Sequence, residues 1–129
     1  MKPLRPALAA IAIVALLAAC AGSPENPGTA GTADPADADV TITSVDIQFD
    51  QTTVTVAAGE PFTLALVNED AMPHNIAIYT DSSASDELFV GELVTQDTIV
   101  YDVLALEPGE YFFRCDLHPE MVGTLIVAG

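Results

Sequence analysis

The 129-residue sequence predicts an all-β domain over residues 40–129, a two-sheet antiparallel β-sandwich with Greek-key connections. Three observations carry that expectation. From Val40 onward the chain breaks into short apolar and β-branched runs separated by turn residues. Several runs alternate with period two, as in Thr53-Val54-Thr55-Val56 and Thr63-Leu64-Ala65-Leu66. No stretch of this region has the longer period of an amphipathic helix, and about eight short strands suit two packed sheets.

In chain order, Lys2 and Arg5 precede a 13-residue apolar run, Ala7 to Ala19, that ends in small residues. A charged start followed by such a run reads as an export signal over residues 1–20, too short to span a bilayer as a mature helix. Leu17-Ala18-Ala19-Cys20 resembles the lipobox of bacterial lipoproteins, where the Cys is lipidated and becomes the mature N-terminus. Ala19-Cys20-Ala21 also fits an ordinary small-x-small cleavage site. Both routes export the domain. The first would anchor it by lipid on the outer face of the cytoplasmic membrane or in the periplasm.

Residues 21–39 are rich in Ala, Gly, Pro, Ser, Thr and Asp without apolar periodicity, and are expected to form a disordered tether. Nineteen flexible residues reach roughly 25 Å, from about 5–6 Å times the square root of length. The strands expected next are Val40–Phe49, Thr52–Val56, Phe62–Asn68, Asn75–Tyr79, Leu88–Val94, Thr98–Val103, Glu110–Cys115 and Gly123–Val127. Turn residues divide them, at Ala58-Gly59-Glu60-Pro61, Asn68-Glu69-Asp70, Asp81-Ser82-Ser83 and Glu107-Pro108-Gly109-Glu110.

Charge and cysteine usage narrow the function. After Cys20 the chain holds all 19 acidic residues against Arg114 alone, a formal net of −18. Such a surface repels nucleic acid and anionic headgroups and favours basic partners. It also suits solubility, or life in high salt. Cys115 is the one cysteine of the expected domain. In an exported domain an unpaired thiol points to a ligand or a reactive group rather than a disulfide.

The chemistry is concentrated in Cys115-Asp116-Leu117-His118-Pro119-Glu120-Met121 and, upstream, Met72-Pro73-His74-Asn75. Together they offer one thiolate, two imidazoles and one thioether, and they hold both histidines of the chain. That is the donor set of a mononuclear electron-transfer copper site, a His₂Cys plane with a weak axial Met. On a strand Tyr111–Cys115, period two sends Tyr111, Phe113 and Cys115 to one face, which we assign to the core. The thiol then ends a buried row. A tight loop back to Gly123 carries Cys115, His118 and Met121 round one point, stiffened by Pro119, with Gly123 permitting a sharp exit. His74 would reach the same point from a different strand.

These segments resemble the cupredoxin family of small blue copper proteins, in its form with a short, amicyanin-like ligand loop. The resemblance covers about Val40 to Gly129. It implies His74, Cys115 and His118 as equatorial copper ligands and Met121 as the axial one. It also implies that Asn75 ties the first-ligand loop to Asp116, where the family often has Ser or Thr.

The implied function is outer-sphere electron transfer by a monomer, without an enzymatic activity. His118 would serve as electron port in a patch of Met72, Pro73, Leu117, Pro119 and Val122. The expected partner is a redox protein, such as a basic c-type cytochrome or an oxidase, met in brief, electrostatically steered encounters. An extracytoplasmic copper chaperone or store is the alternative. The cysteine ligand argues against it, because carriers tend to use Met and His alone or two cysteines. A multicopper oxidase or nitrite reductase needs further histidines, and a binuclear copper site needs a second loop cysteine. A purely adhesive sandwich leaves the four donors unexplained.

Overall fold

Alternation builds two facing sheets, and residues at one end of the sandwich meet at a single point. The computed structural model describes residues 34–129. The expected export signal and lipobox (1–20) and residues 21–33 of the expected tether lie outside the described residues. Residues 34–39, expected within the tether, carry a 3-10 turn over Pro35–Asp37. The Asp39 carboxylate then accepts the Thr63 backbone N–H and hydroxyl.

Nine strands follow: β1 Val40–Val45, β2 Gln48–Phe49, β3 Thr53–Ala57, β4 Phe62–Asn68, β5 Ala77–Tyr79, β6 Glu87–Val90, β7 Thr98–Val103, β8 Gly109–Arg114 and β9 Val122–Ala128. One sheet runs β2-β1-β4-β7 and the other β3-β9-β8-β5-β6. The all-β sandwich is as expected, but its sheets are mixed rather than wholly antiparallel. β1 lies parallel to β4, and β3 parallel to β9. Neither pair is consecutive in sequence, so local turn residues say nothing of the direction in which they meet.

The inward positions of both sheets form one core, with Ile42, Leu64, Leu66, Ile78, Phe113 and Leu125 at 1% exposure or less. Burying each such side chain contributes about 1.5–3 kcal/mol. Two glycines make room in this packing. A Cβ on Gly123 would stand 2.2 Å from the Phe113 ring, and one on Gly91 would stand 2.6 Å from Tyr101. Gly123 thus serves the ring that lies over it. The sharp loop exit assigned to it above is not its role, because its backbone lies within β9.

The expected strand Val40–Phe49 is a hairpin. Asp46 and Ile47 adopt φ of 54° and 58° between β1 and β2. Two consecutive left-handed residues make the tight turn that matches strand twist. The usual Asn-Gly signal is absent, so the turn was invisible in the sequence.

A buried metal centre at one end of the sandwich

β8 delivers Cys115, and the loop 115–121 returns to β9 through a closed neck. Cys115 N–H donates to the Met121 carbonyl at 3.0 Å, and Met121 N–H donates to the His118 carbonyl at 2.9 Å. His74 arrives on the segment before β5, where it exchanges both backbone hydrogen bonds with Val94. The expected strand from Asn75 therefore starts two residues later, at Ala77, with His74 held outside the sheet by that bridge.

The three side chains meet. Cys115 Sγ lies 3.7 Å from His74 Nδ1 and 3.7 Å from His118 Nδ1. The three donor atoms fall within 4.8 Å of one another. The imidazole centroids stand 4.6 Å apart at 57°. Thiolate and imidazole bonds to a first-row metal run about 2.3 Å and about 2.0 Å, as zinc shows. In a trigonal plane such bonds put sulfur and nitrogen roughly 3.8 Å apart, so the spacing of these donors suits a shared metal ion. His74 and Cys115 are fully buried and Met121 is 2% exposed, whereas His118 is half-buried. Water is kept from three sides, and the fourth opens at the His118 ring.

Around this triad the hydrogen bonds divide into two groups. On the His74 side, Asp70 Oδ2 lies 2.9 Å from Nε2, which leaves Nδ1 toward the sulfur. Partial burial pushes the Asp70 carboxyl up. The Ile47 N–H, the His74 ring and the Asp46 N–H outweigh it and hold the group below its ordinary range.

On the Cys115 side, Asp116 N–H donates to Asn75 Oδ1 at 2.9 Å, and Asn75 Nδ2 donates to the Gly91 carbonyl at 3.0 Å. The tie between the two ligand segments is thus chiefly a backbone one. The Asn75 Nδ2 contact with the Asp116 carboxylate is long, at 3.4 Å. That carboxylate instead accepts the Tyr79 hydroxyl at 2.7 Å and Arg114 Nε at 3.2 Å, with the guanidinium 4.9 Å above the Tyr79 ring. Burial, and then the bond to Asp116, raise the Tyr79 hydroxyl above its ordinary value.

Every sequence-predicted site residue lies here: His74, Cys115 and His118 at the centre, Met121 at the loop neck, Asn75 and Asp116 beside it. Asp70, Tyr79 and Arg114 were missed. Arg114, the single cation after Cys20, two residues before Asp116, was a readable signal. So was the spacing of four between Asp70 and His74. Met72, Leu117 and Val122 of the expected apolar patch are exposed at 42%, 50% and 38%.

Comparison with known proteins agrees with this architecture. The profile of the cupredoxin-like domain matches residues 8–127. Amicyanin from Paracoccus versutus is 35% identical over 91 residues, covering 70% of this chain. The match spans 66% of that relative, just under two thirds of its length. Its crystal structure superimposes with a TM-score of 0.59 at 34% identity, over 81% of this chain and 93% of that one. Reduced auracyanin from Roseiflexus castenholzii gives a TM-score of 0.62 over 70% of this chain and 96% of its own. At 21% identity that likeness speaks to the fold alone. Auracyanin A of Chloroflexus aurantiacus, a "blue" copper protein, shares the same architecture at a TM-score of 0.59 and 22% identity, over 67% of this chain and 95% of that one. The chain belongs to the cupredoxin family.

Proposed function

We propose that this protein is a type 1 copper electron carrier that works outside the cytoplasm. The observation that carries the reading is the convergence of Cys115 Sγ with two imidazole Nδ1 atoms at 3.7 Å, in a prearranged triad of which only His118 reaches solvent. When bound there, copper would supply a one-electron couple between Cu(I) and Cu(II). His74, Cys115 and His118 would hold it, with the Met121 thioether as a weaker fourth donor. The imidazoles suit the oxidised ion and the sulfurs the reduced one.

The chain's own contribution is to keep this donor set from rearranging. Pro119 and the two backbone bonds of the loop neck restrain His118 and Met121. Asn75 fixes the turn after Cys115 through the Asp116 N–H, so the sulfur cannot swing away from the imidazoles. The half-buried His118 ring is the exit for the electron. Exposed Met72 and Leu117 give an apolar surface for a brief encounter with a redox partner.

The acidic surface selects for basic partners, such as a c-type cytochrome, or for a cationic face of an oxidase. A lipid on Cys20 would confine that search to the membrane surface. We assign the domain as a monomer, with residues 21–39 as its tether and no reaction of its own beyond electron transfer.

The test is a visible absorption spectrum of the purified protein after one equivalent of Cu(II). A strong blue thiolate-to-copper band, bleached reversibly by a mild reductant, is the expected result. A colourless product that retains Cu(I) would instead indicate copper delivery or storage, and no copper uptake would sink both.

A further inference from the structure

Among the described residues four that are not glycine have a left-handed backbone, and three of these bond to one aspartate. Asp70 Oδ1 accepts the Asp46 N–H at 2.8 Å, and Oδ2 accepts the Ile47 N–H at 3.1 Å. The Asp70 carbonyl accepts the N–H of Gln96, whose φ is 46°. L-residues avoid this region, and a β-branched side chain such as Ile47 is a clear outlier there. Two consecutive N–H groups captured by one carboxylate are what hold the turn.

The aspartate is itself pinned. Its N–H donates to Asn68 Oδ1, and the buried Asn68 is held in turn by the Ser44 hydroxyl and by bonds to the Met72 and Val94 carbonyls. Val94 is the residue that pairs with His74. The strained turn, the Gln96 loop and the His74 segment therefore share one network, with the Asp70 carboxylate at its centre.

We propose that Asp70 is a positioning residue for His74. The β1–β2 turn fixes the carboxylate, and the carboxylate fixes the imidazole with Nε2 protonated and Nδ1 bare toward Cys115. The positional half stands on this geometry alone; the effect on a redox potential rests on the copper reading above. A carboxylate behind a ligating imidazole also makes the ring a stronger donor to a cation. Its negative charge favours Cu(II) over Cu(I).

Two substitutions separate the ring from the turn. Asp70→Asn is nearly isosteric, but its NH₂ cannot accept the bonds that the two carboxylate oxygens share. Ile47→Gly relieves the left-handed constraint and leaves the carboxylate in place. Asp70→Asn is expected to weaken Zn(II) binding roughly tenfold to a hundredfold and to move the copper potential upward. Ile47→Gly is expected to leave both near wild type.

Unchanged affinity and potential in Asp70→Asn would overturn the proposal. So would equal effects of the two variants, since Asp70 would then act only by holding the turn. Nitrogen NMR of the metal-free wild type at mildly alkaline pH decides the matter even if Asp70→Asn does not fold. A His74 ring protonated at Nε2 supports the assignment, and one protonated at Nδ1 overturns it. Copper uptake without a blue band in the wild type would defeat the electron-carrier reading, while the zinc and tautomer measurements still decide the role of Asp70.

Discussion

As proposed ligands Cys115 and Met121 would both bring sulfur to the copper, and the difference between their sulfurs yields separate predictions. As a copper ligand Cys115 would be a charged thiolate, and its charge transfer to Cu(II) would produce the blue band. Cys115→Ser is therefore expected to abolish that band. The substitution puts a hydroxyl where a weakly polar thiol was fully buried, at a cost of about 1–3 kcal/mol. Circular dichroism should still report the sandwich. A retained blue band would remove Cys115 from the site. The Met121 thioether is neutral and weak, so Met121→Leu keeps volume and three ligands. It is expected to retain copper and raise the potential, because Cu(II) loses a donor. Complete loss of copper in that variant would contradict the axial assignment. Both residues were legible in the sequence because their spacing with His118 is short and local. For Asp70 only the spacing of four to His74 was legible; its hold on the β1–β2 turn was not, because that contact joins residues 24 apart in sequence.

At the scale of elements, the strands were legible wherever one face was buried. β4, β7 and the core row of β8 fall within a residue of their expected bounds, since period-two burial fixes them. Pairing direction and the β1–β2 turn were not legible, because each is decided by contacts distant in sequence. The Gly123 contact is of the same kind and can be tested. Gly123→Ala drives a methyl into the Phe113 ring, one strand away from the row that ends at Cys115. Overpacking of this kind costs about 1–3 kcal/mol, which lowers the melting temperature by roughly 4–8 °C per kcal/mol in a domain of this size. An unchanged melting temperature would show that Phe113 can move aside freely. The entry to the domain gives a second test. The Thr63 backbone N–H and then its hydroxyl lower the Asp39 carboxyl below its ordinary value. A depressed carboxyl adds stability above its unfolded pKa of about 3.9 and loses it as pH falls through the folded value. The stability difference between wild type and Asp39→Ala is thus expected to be constant near neutrality and to vanish in acid. A difference that persists at low pH would assign the effect to packing instead.

For the whole molecule the governing quantity is charge, 19 carboxylates after Cys20 against Arg114. That one guanidinium is already engaged with Asp116 and stacked over Tyr79, so it does little to offset the distant field. Like charges on a small sandwich repel one another and destabilise the compact state, while the same field draws in a cationic partner. Salt acts on both through one length. The screening distance falls from about 30 Å at 0.01 M to about 3 Å at 1 M. Over that range the melting temperature is expected to rise, and the association rate with a basic c-type cytochrome is expected to fall steeply. Thermal melts and stopped-flow mixing across one salt series measure the two together. A rising melting temperature with a flat association rate would mean that the carboxylates serve life in salt and that docking depends on the apolar ground around His118. A falling rate ties the charge to partner capture, and its slope reports how much of the acidic surface the partner meets.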